Sequence, residues 1–195
     1  MNIQYIRNKY HQIPELFWIP CDLPNDKAKK ETDIPYVVYE TRPIAINIKG
    51  NNFILLTELS HIASSIKKSE TILELKEDWD EEGALPTNIE TFVKAVKFII
   101  DYSTFILKGK EKVVIDSPDI DILRDGAIIV NWETPVASFT IIFEKEPSEI
   151  YYYYAKEKQS LITLKYGINI NKEVNEYTTL WMANNLKYNL PNHSH

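Results

Sequence analysis

The residues best suited to chemistry stand together in Glu77-Asp78-Trp79-Asp80-Glu81-Glu82-Gly83, between two stretches of helical periodicity. Carboxylates at this density can hold a divalent cation, and Asp78-x-Asp80-x-Glu82-Gly83 imitates the start of a calcium loop. The twelfth position of such a loop must supply a bidentate Glu, but here it is Ile89, so an EF-hand is excluded. A looser Mg²⁺ or Ca²⁺ site on Asp78, Asp80 and Glu82 stays open. With His61 it would suit a metal-dependent hydrolase or nuclease. The competing reading makes the segment a solvated acidic corner. There Gly83 takes a left-handed backbone, Pro86 presets the start of the next helix, and Trp79 plugs the gap with its indole N–H on a nearby carbonyl. We adopt this structural role for Trp79, Gly83 and Pro86, with no cofactor and no metal.

Other nucleophiles and ligands are few. Of four histidines, His193 and His195 lie in a terminal Asn-His-Ser-His tail whose spacing suits weak transition-metal binding, leaving His11 and His61. A dyad of Cys21 with either is conceivable, because such pairs assemble from distant sequence. His61 sits beside Ile62 on a helical stretch and reads as a surface or half-buried side chain. There is no Gly-x-x-x-x-Gly-Lys phosphate loop, dinucleotide fingerprint, Gly-x-Ser-x-Gly elbow or zinc spacing. Five glycines leave little material for such loops. No catalytic residue is assigned.

Two aromatic groups point to binding instead. Tyr151 to Tyr154 lie on one strand, where successive side chains face opposite sides, so two pack inward and two face out. An aromatic strand can stack nucleobases, yet the flanking charges are mixed, and tyrosine equally suits a protein interface. The second group is Leu16-Phe17-Trp18-Ile19. Phe17, Trp18, Tyr152 and Tyr154 are therefore the candidate partner-binding residues.

Composition narrows the partners. The chain has 195 residues, 22 basic against 28 acidic side chains and a net charge of −6. Its pI of 5.3 offers no global attraction for a phosphate backbone. Nucleic acid is disfavoured, and the acidic balance favours a basic protein partner. The single Cys21 cannot form an internal disulfide, which fits a reducing cytosol. No secretory h-region or membrane-length apolar run is present, so the expected location is cytoplasmic. The isoleucine-rich, glycine-poor composition fits a low-GC bacterial genome or its phages. A chain this long buries about 70% of its unfolded surface as one domain.

The elements that must position these groups follow from periodicity. Pro14, Pro20, Pro24 and Pro35 make residues 1–35 an irregular N-terminal arm. Short antiparallel strands are expected over Tyr36–Tyr39, Ile44–Ile48 and Phe53–Leu56. The period then changes to helical over about 57–76, with a possible break at Ser69. A second helix should start from a capping box of Thr87 and Glu90, run to about Leu107 and stop at Gly109. Strand patterns recur over Val113–Asp116, Ile120–Leu123, Ala127–Glu133, Ser138–Phe143, Ile150–Ala155 and Leu161–Tyr166. Asp125-Gly126 reads as a type I′ turn. Lys172–Leu186, with Val174, Tyr177, Leu180, Trp181 and Ala183, reads as a final amphipathic helix. The expected fold is one α+β domain over 1–195, an antiparallel sheet with a central helical pair and a C-terminal helix.

Trp79 to Pro86, in the pattern W-D-x-x-G-A-x-P, is followed by Pro118 to Ile128 in the pattern P-x-I-x-x-x-x-D-G-x-I, and then by Trp132. This arrangement resembles a scattered set of uncharacterised small bacterial proteins, and the likeness covers roughly residues 57–155. The resemblance implies a gene of mobile or defence-related loci and carries over no catalytic residues.

The resulting expectation is a non-catalytic interaction or regulatory protein, an accessory or inhibitory partner of an effector. The metal-dependent hydrolase or nuclease is the first alternative. A small-ligand or nucleotide sensor, with its pocket between helices and sheet, is the second.

Overall fold

The structure is a computed structural model that describes residues 43–146, 148, 150–169 and 173–188. The arm with Phe17 and Trp18, the strand expected at 36–39, and His11, Cys21, His193 and His195 lie outside these residues. Strands β1 (Ile44–Ile48) and β2 (Asn51–Leu55) form a two-stranded hairpin. Lys49 (φ 46°) and Gly50 (φ 93°) between them are both left-handed, as a two-residue type I′ turn requires.

Helix α1 spans Ser60–Ser69, between 3₁₀ turns at Thr57–Leu59 and Glu70–Glu74. The expected break at Ser69 is real. Four of its ten residues are serines, and Ser64 and Ser69 donate back to the carbonyls of Ser60 and Ser65. Such bonds compete with the helical ladder. Ile62, Ala63 and Ile66 are buried on its other face.

Helix α2 spans Ile89–Lys108. Its N-cap is Asn88 and not Thr87: Asn88 Oδ1 accepts the Thr91 N–H at 2.7 Å, while the buried Thr87 hydroxyl has no hydrogen-bond partner. Asparagine caps at least as well as threonine, and Asn88 also reaches the Lys145 carbonyl. Pro86 consequently lies two residues before the cap, outside the helix. The apolar stripe is wide, with Phe92, Val96, Phe98, Ile99, Ile100 and Ile106 all buried, since the helix touches β2 as well as the main sheet.

That sheet is an antiparallel meander in sequence order: β3 (Asp119–Ile122), β4 (Ile128–Glu133), β5 (Ala137–Phe143), β6 (Tyr151–Glu157) and β7 (Leu164–Ile168). Asp125-Gly126 does not form a type I′ turn. Only Gly126 is left-handed (φ 84°), and bonds from Leu123 N to Ala127 O and from Gly126 N to Leu123 O close a three-residue loop over 124–126. The inner face packs Trp132, Phe139, Phe143, Tyr151 and Tyr153 beneath α2, with Phe98 among their rings. Burial there pushes the Tyr153 phenol above its ordinary pKa, only partly offset by the Thr178 hydroxyl it accepts.

The strand expected at Val113–Asp116 shrinks to one bridge, Ile115 with Lys187, because its partner is the short stretch after the last helix. Asp116 N to Leu186 O and Tyr188 N to Val114 O complete that seam. Helix α3 spans Glu176–Asn185, starting later than Lys172 because Asn175 caps it through the Thr178 N–H. It is not amphipathic in the expected sense. Thr178, Thr179 and Met182 are buried, and Tyr177 and Leu180 face solvent.

Candidate functional site

The acidic corner is built by two segments that are forty residues apart. In the first, Asp78 and Glu81 hold left-handed backbones (φ 62° and 61°) and Gly83 a third (φ 87°). Carboxylates accept the donors this winding leaves over. Asp78 Oδ1 takes the Gly83 N–H at 2.7 Å, and Asp80 Oδ1 takes those of Glu82 (2.9 Å) and Ala84 (3.0 Å). Asp78 N donates in turn to Ala84 O.

Arg124, from the β3–β4 loop, closes the corner. Its Nε lies 2.9 Å from Asp80 Oδ2, and one Nη donates to the Glu82 carbonyl at 2.7 Å and pairs with Glu82 Oε2 at 3.0 Å. Its own carbonyl accepts the Leu85 N–H. Partial burial raises the Asp80 pKa, but the Glu82 and Ala84 N–H groups and the Arg124 charge outweigh it and hold the carboxyl below its ordinary value. Trp79 is half-buried against the core, with its indole N–H 3.3 Å from Leu85 O. Asp78, Asp80 and Glu82 are thus brought together, but around N–H groups and a guanidinium. Among the described residues no three His, Cys, Asp or Glu side chains are grouped to hold a metal ion.

His61 is drawn into the seam. Its Nε2–H donates to Ile115 O at 2.8 Å, and its ring stacks on Tyr188 with centroids 4.4 Å apart. The carbonyl can only accept, which fixes the protonated nitrogen.

The tyrosine strand alternates as expected. Tyr151 and Tyr153 are buried, while Tyr152 and Tyr154 remain 50% and 38% exposed on the outer face of the sheet. Tyr152 pairs with Gly167 and Tyr154 with Lys165 across the β6–β7 ladder. The Lys165 ammonium lies 4.8 Å from the Tyr152 ring centre and 5.3 Å from that of Tyr154, a cation–π arrangement that orients both rings. Lys165 was not singled out by sequence, because strand pairing sets its position. Asn131 and Thr140 extend the same face, with Thr140 Oγ1 donating to Asn131 Oδ1 at 2.7 Å.

No described helix is long and apolar enough to cross a membrane. Comparison with protein-family models, curated proteins and solved structures gives no match.

Proposed function

We propose that the chain is a non-catalytic interaction protein whose contact surface is the outer face of the five-stranded sheet, centred on Tyr152 and Tyr154. The observation that carries this is the Tyr152–Lys165–Tyr154 cluster: two exposed rings fixed on a strand by one ammonium. A rigid aromatic with a polar tip yields contact area at low entropic cost. Support also comes from the acidic corner, where the oxygens that would ligate a metal already serve backbone N–H groups and Arg124. On this reading the chain acts as an accessory or inhibitory partner of bacterial or phage origin in the cytoplasm.

The test is purification of the tagged full chain from its host, identification of the bound protein, and reconstitution of the pair from pure components. Tyr152→Ser with Tyr154→Ser should weaken the pair at least tenfold without changing the melting temperature. Native affinity in that folded variant overturns the reading.

A further inference from the structure

Two rows of the outer face carry their charges in an order that matches its own reverse, while a third, with Asp121 beside Ile129 at one edge and Gly167 beside Tyr152 at the other, has an acid but no base. One cross-strand row reads Asp119, Asn131, Thr140, Tyr154, Lys165 from β3 to β7. A neighbouring row runs from Glu133, whose carboxylate also pairs with the Lys158 ammonium of its own chain, through Ser138 to Lys156, again acid towards β3 and base towards β7. Half-buried Ile129 and Ile142 are a cross-strand pair beside Tyr152. Resting on the reading above, we propose that the partner seated on this face is a second copy of the chain, stacked face to face about a two-fold axis along β5.

Such an axis keeps each row at its own height and exchanges left for right. Asp119 then lies over Lys165 of the other copy, Glu133 over Lys156, Asn131 over Tyr154 and Ile129 over Tyr152. Thr140 and Ile142 meet their own counterparts at the axis. Each opposite-charge pair occurs twice, as an isologous interface requires. Sheets pack in this aligned way about 10 Å apart. Five strands at about 4.8 Å each, with about 3.3 Å per residue, give a face on the order of 500 Å² in projection. Two such faces reach roughly the 1,000 Å² at which a specific interface begins, so the dimer should be weak and reversible. Both copies carry −6 overall, so salt relieves global repulsion while weakening the local pairs, and is not a clean readout.

Charge reversal is. The full chain, studied by sedimentation velocity from micromolar to several hundred micromolar, should show its mass rise towards twofold. Asp119→Lys alone, and Lys165→Asp alone, should each weaken dimerisation at least tenfold, because both put like charges opposite each other. An equimolar mixture of the two should dimerise again, since every pair is then restored. Both sites are exposed, and circular dichroism verifies that the variants fold. A chain that stays monomeric throughout, a dimer indifferent to the reversals, or a mixture that fails to recover overturns the proposal. A monomeric chain whose Tyr152→Ser/Tyr154→Ser variant still loses a different purified partner would defeat the second copy while upholding the interaction surface.

Discussion

A Cβ built on Gly126 would lie 2.7 Å from the carbonyl oxygen of Pro86. The β3–β4 loop and the segment leading into α2 therefore touch backbone to backbone, and only glycine fits between them. Gly126 is also left-handed (φ 84°), so alanine there meets both a conformational penalty of about 1–2 kcal/mol and an overlap that rigid backbone cannot relieve. Gly83 is equally left-handed, but a methyl group placed on it would have no atom within 4 Å. Gly126→Ala should cost about 2–4 kcal/mol and Gly83→Ala only about 1–2 kcal/mol in urea unfolding. Equal midpoints for the two variants would contradict this contact.

Trp79 sits half-buried at the same corner, its N–H on Leu85 O. Full burial of an indole would make truncation cost about 3–5 kcal/mol, so a half-buried ring should lose about 2 kcal/mol on Trp79→Ala. Trp79→Phe keeps much of the packing and loses one N–H donor, and its cost should fall near 1 kcal/mol. Thermal unfolding of both variants separates the two contributions.

The class of fold and the side assigned to each strand residue were legible because a half-buried sheet imposes a period of two. Ile128, Val130 and Trp132 face in, as do Tyr151 and Tyr153. What escaped depended on distant partners. Val113–Asp116 has strand composition but pairs only with residues 186–188, so it could not extend. The cap moved from Thr87 to Asn88 because two adjacent residues could both serve. Tyr177 and Leu180 look like core on α3, yet the buried face belongs to Thr178 and Met182, whose positions follow from the Tyr153 hydroxyl and the sheet below. At the corner, the sequence displays five acids but hides Arg124, which approaches only when the β3–β4 hairpin folds over the loop.

The pH dependence of stability has two limbs with different owners. Asp80 is held below its ordinary value, so its contribution is fully present above about pH 4 and is lost as pH falls through the lower folded value. Burial raises Tyr102 and Tyr153, the former only partly offset by the Asn175 N–H. Their contribution is fully present below about pH 10 and fades as pH rises towards the raised folded values. Urea midpoints measured across pH should show Asp80→Asn flattening the acid limb and Tyr102→Phe flattening the alkaline one. Either variant altering the opposite limb instead would reverse the assignment.

Calorimetric titration of the full chain with Mg²⁺, Mn²⁺ and Ca²⁺ addresses the acidic corner directly. A hard cation needs six or more oxygens at about 2.1–2.5 Å, and it must displace whatever those oxygens already hold. Asp80 would have to release two backbone N–H groups and the Arg124 guanidinium, and Asp78 the Gly83 N–H. Arg124 also places a fixed positive charge where the ion would sit. We expect no binding tighter than millimolar, and no difference between the native chain and Asp78→Asn with Asp80→Asn. Micromolar affinity that this double substitution abolishes would show the corner opening around a cation, and the metal-dependent hydrolase would then replace the interaction protein as the leading reading.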